Sequence, residues 1–346
     1  YYYYYDEFIK TAKTKDSKNK AINKSRMYFR KKISRLNKKI DTTQIHMCSG
    51  NWRNINFLNV TSGTMNINCD LFMNKNDERS FDRQECKKNF VKYLENGVIR
   101  GKQCEIYNIV RGVVEKKHEK VIEMQWMDYK KKNKVLENDY IIMIDNSFIM
   151  EQFNKRPLLA AIGLGILLSE TNRGAFQNRM ITYSDNPEWI ILEANVTFSK
   201  KVNKIMECNG GGDSNFYEAL NMIIDGFIIN KLTLYDISKL KIVVFGSMET
   251  IDIKKIKNCF RNAGYICDKT SSFPHFILWN MCYISNKCSN EDHVTYLSGY
   301  NSSLLNIFSK SNEIVGKITS YDRLLKLLNH KRYQMLDGFI REYIKN

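Results

Sequence analysis

The chain reads as an α/β protein, a doubly wound and mostly parallel sheet preceded by a smaller α-helical region. Three observations predict this class. Short continuous apolar runs recur from residue 139 onward, among them Tyr140–Ile144 and Lys241–Phe245; such runs mark strands buried on both faces. Segments with helical spacing alternate with them. Ahead of residue 139 the apolar spacing is helical only. With 346 residues and a 43% apolar fraction there is material for two domains and a sizeable core. Three prolines exclude collagen-like and proline-rich architectures.

Residues 1–40 form a basic arm. They hold 13 Lys and Arg against three acids, whereas residues 139–346 hold 24 against 21. More than half of the net charge of +17 therefore lies in the arm. Lys20, Lys24, Arg26, Arg30, Lys31, Lys32, Arg35, Lys38 and Lys39 line a stretch that from Met27 approximates a basic amphipathic helix. Such an array neutralises phosphates and releases counterions, so it is the candidate surface for RNA or another polyanion. The alternative is a solvated helix packing through Phe29, Ile33, Leu36 and Ile40.

Residues 41–138 read as short helices separated by polar loops. Glu85–Asn96 places Cys86, Phe90, Val91 and Leu94 on one face, with Gly97 as its stop. Trp52, Phe57, Phe72 and Phe81 are the expected core anchors, and Lys130–Lys132 with Lys134 reads as a polar connection. The α/β domain, 139–346, then runs strand 140–144, buried helix 157–170, strand 179–184 and edge strand 189–192. Helix 215–229, strand 241–245, helix 253–263 and strands 276–279 and 294–297 follow. In open sheets of this kind ligands sit beyond the carboxyl ends of the strands, where the strand order reverses. The loops to question are therefore 145–149, 210–215 and 246–249.

Several function classes are excluded or disfavoured. Nine cysteines form no C-x-x-C pair, and five histidines show no clustered ligand spacing. The scattered thiols point to a reducing compartment, cytoplasmic or nuclear. The longest uncharged apolar run, Leu158–Leu168, is far short of a membrane span. No G-x-S-x-G occurs, and Gly210-Gly-Gly-Asp213 lacks the Gly-Lys-Ser/Thr of a phosphate loop. With no nucleophile, base and orienting group legible, an enzyme is not expected.

The three loops supply Asp145 and Ser147, Asp213 and Ser214, and Ser247 and Glu249. Hydroxyls and carboxylates are hard oxygen ligands of the kind Mg²⁺ takes. The arrangement resembles the von Willebrand factor A domain, whose metal-ion-dependent adhesion site uses Asp-x-Ser-x-Ser, a Thr and a third-loop Asp. Asp145, Ser147 and Ser214 match that pattern. Ile149 stands in place of the second serine and Ser247 in place of the third-loop Asp, leaving Asp213, Ser247 and Glu249 to compensate. The resemblance thus implies a degenerate site with no cofactor or a weakly held Mg²⁺.

A longer series is similar, in order, to the domain of unknown function 2828 family of plants, fungi and large DNA viruses. It comprises Gly163-Leu-Gly-Ile-Leu-Leu-Ser-Glu170, Met180-Ile-Thr-Tyr-Ser184, Asp213-Ser-Asn-Phe216, Phe245-Gly-Ser-Met-Glu249, Phe276-Ile-Leu-Trp-Asn280 and Leu297-Ser-Gly-Tyr300. Upstream, Met47-x-Ser49-x-x-Trp52 and Glu123-Met-Gln-Trp126 resemble the end of that family's helical half. The third loop of that family reads Phe-Ser-Asp-Met-Glu, so the missing carboxylate is a departure from it. More distantly the layout resembles Ro-type RNA-binding proteins. The resemblance implies a non-catalytic scaffold or protein-binding protein. RNA binding through the arm, and a structural or virion role in a large DNA virus, are the alternatives.

Overall fold

The computed structural model describes residues 8–10, 12–76, 79–96, 104–133, 139–208, 210–249, 251–267, 270–271, 273–282, 292–300, 304–305 and 328. Gly97, Lys134 and the C-terminal stretch of the α/β domain beyond 305, Leu328 apart, lie outside them. The chain divides into two compact units, residues 1–99 and 100–346.

In the first unit, helix α1 (Lys15–Lys39) starts at a Thr14 capping box, with Ser17 as its third residue. Helices α2 (Thr43–Cys48), α3 (Ser62–Phe72) and α4 (Phe81–Asn96) follow. Phe57, Phe72 and Phe90 are buried and meet ring to ring at 4.9–5.5 Å. Trp52 stacks under the Arg83 guanidinium, 3.7 Å away. Phe81 is not a core anchor: at the first turn of α4 it is 65% exposed. Nor does α1 pack through Phe29, Ile33, Leu36 and Ile40, which are all exposed; its buried residues are Ala21 and Ser25.

In the second unit a six-stranded sheet has the order β3-β2-β1-β4-β7-β8. The strands are β1 (Tyr140–Asp145), β2 (Arg179–Tyr183), β3 (Glu188–Ile191), β4 (Lys241–Gly246), β7 (His275–Asn280) and β8 (Val294–Ser298). All neighbours pair in parallel except β3, an antiparallel edge strand on β2. The strands β5 (Ile266–Cys267) and β6 (Thr270–Ser271) form a separate hairpin. Alternate side chains of each strand point to opposite faces. Ile142, Ile144, Val243, Phe245 and Trp279 enter one core, and Ile141, Met143, Ile242, Val244 and Leu278 enter the other.

The first core is covered by helices α5 (Ile106–Val114), α6 (Glu119–Lys132), α7 (Gln152–Thr171) and α8 (Phe198–Glu207). The second is covered by α9 (Phe216–Ile229), α10 (Leu234–Lys239) and α11 (Ile253–Asn262). Helices α5 and α6, placed by sequence in the 41–138 helical region, thus pack within the sheet's own unit. A methyl group on Gly163 would overlap Ile106 and stand 3.0 Å from Val110, so the bare backbone is what lets α5 approach α7. Gly165, two residues on, faces Ile142 and Ile144 of β1 in the same way.

Polar contacts fix the arrangement. The Glu123 carboxylate of α6 accepts from the backbone of Phe198 (3.1 Å) and Ser199 (2.9 Å), capping α8 from a neighbouring helix. Glu170 of α7 pairs with Lys130 of α6 and the buried Lys201 of α8, each at 2.8 Å. Lys130–Lys132 is therefore the last turn of α6 rather than a connection. The buried helix after β1 begins irregularly. Phe153, Asn154 and Lys155 have φ of 52°, 58° and 59°, and regular helix follows from there with Pro157 in its first turn. Among the described residues no helix is long and apolar enough to cross a membrane.

Candidate functional site

Strand order places the site. The chain leaves β1 for β2 on one side and returns from β3 to β4 on the other, so the reversal falls between β1 and β4. The loops after Asp145 and Gly246 leave the sheet there, the place where open sheets bind their ligands. Across the carboxyl edge, parallel pairing sets Tyr183, Asp145, Gly246 and Asn280 close to one row.

Asp145 is the centre. It is 1% exposed, and its Oδ1 accepts the Ser147 amide at 3.0 Å. Burial raises its pKa above the ordinary carboxylate value; hydrogen bonding from Ser147, the Ser247 amide and the Ser214 hydroxyl opposes that rise without cancelling it. All three loops thus converge on one carboxylate. The Ser147 hydroxyl, fully buried beside it, makes no hydrogen bond of good geometry. Tyr183, also raised by burial and by the Asp145 charge, donates its hydroxyl to the Phe245 carbonyl at 3.3 Å. Cys282 lies near enough that burial, then Asp145 and Glu249, push its thiol up to about 12, which keeps it protonated.

The glycine loop packs directly over the Asp145 loop. The Gly211 amide donates to the Asn146 carbonyl at 2.9 Å, and the Phe148 amide reaches the Gly212 carbonyl at 3.4 Å. Gly212, at φ +65°, lies so close to the Asp185 carboxylate that any Cβ would overlap it. Asp185 Oδ1 accepts the Asp213 amide at 2.8 Å, and the Ser184 carbonyl accepts the Asn215 amide at 3.2 Å. Asp185 thereby anchors the loop that delivers Ser214. Sequence reasoning passed it over because it acts through a backbone amide and belongs to no ligand motif; its position at the end of β2 was the available signal.

Asp145, Ser147, Ser214 and Ser247 are therefore brought together, Ser247 through its amide. Asp213 and Glu249 are exposed at the rim, and no contact among the described residues joins them to Asp145. Phe148 and Phe153 also stand exposed on this end. For Mg²⁺ the donor set is poor. It offers one buried carboxylate, whose oxygens already receive protein donors, and no group of three His, Cys, Asp or Glu among the described residues could hold a metal. Mg²⁺ surrenders its water reluctantly and favours anionic oxygens, so these residues do not fit it as a resident ion.

The nine basic residues of the arm, Lys20, Lys24, Arg26, Arg30, Lys31, Lys32, Arg35, Lys38 and Lys39, all lie on α1 and are all exposed. The Lys24 ammonium sits 4.6 Å over the Phe8 ring. Cys48, Cys69, Cys86, Cys104, Cys208, Cys259 and Cys282 are free thiols.

A mixed six-stranded sheet with helices on both faces, and an Asp-x-Ser loop at its strand-order reversal, define a von Willebrand factor A-like α/β domain. The chain belongs to the family described as Domain of unknown function (DUF7788), whose model matches residues 139–332. An uncharacterised protein of Acanthamoeba polyphaga mimivirus, L728, is 25% identical over 209 residues, 56% of this chain and 35% of the relative. The chain thus spans about a third of that relative's length. The crystal structure of the Deinococcus radiodurans RO (RSR) protein is similar with a TM-score of 0.39 and 9% identity. That match covers 69% of this chain and 56% of the other.

Proposed function

We propose that the protein is a non-catalytic binding or scaffold protein that docks a partner protein at the carboxyl edge of the sheet, without a tightly held Mg²⁺. The observation that carries this reading is the convergence of three loops on the buried Asp145 carboxylate, through Ser147, Ser214 and Ser247. The buried carboxylate fixes its own loops, so the rim they carry at the strand-order reversal is a preorganised docking surface. The Cys282 thiol near Asp145 is held protonated by burial.

The chemistry of the partner group follows from the departures in the loops. A bound cation would present positive charge and attract a carboxylate. Here the buried Asp145 is rimmed by exposed Asp185, Asp213 and Glu249, with Phe148 and Phe153 also exposed on this end. That rim favours an N–H donor or a cationic side chain flanked by apolar residues. The ordered motifs that resemble the 2828 family fit a scaffold role, and the mimivirus relative supports a setting in a large DNA virus.

The test is affinity capture from the native host with the full chain and with Ser214→Arg, each in chelator. A protein retained by the wild type in chelator and lost with Ser214→Arg supports the reading. Capture that ignores the substitution, or that requires Mg²⁺, overturns it, as does turnover of a nucleotide by the purified chain.

A further inference from the structure

Helix α1 carries a second surface, independent of the sheet. From residue 22 onward Ile22, Phe29, Ile33, Leu36 and Ile40 recur at intervals of seven, four, three and four residues. At about 100° per residue this confines them to one narrow stripe. The stripe faces solvent: Phe29 is 40% exposed, Ile33 38%, Leu36 49% and Ile40 67%. Arg26 and Lys32 flank it, while Lys20, Lys24, Lys31, Arg35 and Lys38 fill the opposite face. Only one acid, Asp16, lies in the helix, in its first turn.

We propose that α1 is an interfacial helix that lies on an anionic lipid surface, seating Phe29, Ile33, Leu36 and Ile40 among the headgroups and upper acyl chains. A basic helix with a single apolar stripe binds such a surface by two additive terms, burial of the stripe and attraction of the lysines to acidic headgroups. RNA satisfies the charge but offers nothing to cover Ile33, Leu36 and Ile40. A second copy of the helix is disfavoured by charge. With Ile22, Phe29 and Leu36 at one core position, the other holds Arg26 beside Ile33 and Ile40, and Arg30, Lys32 and Lys39 flank the seam with no acid to pair them.

The experiment is co-sedimentation of the full chain with vesicles of phosphatidylcholine alone and of phosphatidylcholine with phosphatidylserine, with poly(U) RNA as competitor. The triple variant Phe29→Ser, Ile33→Ser, Leu36→Ser keeps every charge and leaves the buried Ala21 and Ser25 in place. A second variant, Lys24→Gln, Lys31→Gln, Arg35→Gln, keeps the stripe. A melting curve and circular dichroism confirm that both variants fold. The expected result is binding to phosphatidylserine vesicles only, weakened tenfold or more by either variant. Vesicle binding that survives loss of the stripe overturns the proposal. So does failure to bind vesicles, whether or not poly(U) is bound.

Discussion

Helices α5 and α6 belong to the sheet's unit, so a protein begun at residue 139 loses part of its own core. Ile106, Ile109, Val110, Val113, Ile122, Trp126 and Tyr129 are all buried in the core on that face of the sheet. Burying a large apolar side chain is worth about 1.5–3 kcal/mol. Some of that burial is between α5 and α6 themselves, so removing both helices costs the remainder on the order of 5–10 kcal/mol. The uncovered face of α7 and the Lys130 partner of Glu170 are lost as well. Domains are stable by only about 5–15 kcal/mol in total. Residues 139–346 alone should therefore be aggregated or molten, whereas 100–346 should melt cooperatively. Thermal melts followed by near-ultraviolet circular dichroism decide the matter. A cooperative transition in 139–346 within a few degrees of that in 100–346 would refute the placement of α5 and α6.

Three further outcomes follow from particular residues. Gly163→Ala gains about 1 kcal/mol of helix propensity but drives a methyl into Ile106, at about 1–3 kcal/mol; a net loss of about 1 kcal/mol is expected in chemical denaturation, and a gain would show that α5 does not approach there. His275, hydrogen-bonded to Thr295 at 2.8 Å, is held down at about 4 by burial, then by His293 and Lys241. Its folded pKa lies below the unfolded value, so the stability it contributes is present above pH 6.5 and is lost as pH falls from there toward about 4. The loss is about 3 kcal/mol, absent in His275→Gln; a His275 resonance titrating near 6.5 would count against it. Asp145→Asn removes a buried charge whose pKa is raised while keeping an acceptor for the Ser147 amide. Above the folded pKa the wild type bears the full cost of that buried charge, and the cost is relieved as pH falls from the folded value toward the ordinary carboxylate value. At neutral pH the variant should therefore melt at or above the wild-type temperature, the advantage shrinking in acid. A loss of more than about 2 kcal/mol would contradict the reading of the site.

How much of this was legible depended on what each sequence signal encodes. The strands were readable because a parallel sheet buries both faces, so β1 and β4 are unbroken apolar runs that no surface helix would carry. The reversal of strand order then directed attention to Asp145, Ser147, Ser214 and Ser247 before any geometry was known. The spacing in α5 and α6 showed that they have apolar faces, but not which core those faces enter. That is decided by Gly163 and Glu170, more than 30 residues downstream. The same blindness let the stripe of α1 pass as a packing face, although it lies open to solvent. Asp185 was invisible for a different reason. It holds the backbone amide of Asp213 beside Gly212, and a contact to a backbone amide leaves no trace in a side-chain motif.

The account rests on Asp145 being satisfied by protein donors rather than by a cation. Titrating Mg²⁺ into the full chain by calorimetry, beside Asp145→Asn, tests this most directly. The prediction is no saturable binding below the millimolar range in either protein. A micromolar site in the wild type that vanishes in Asp145→Asn would contradict it.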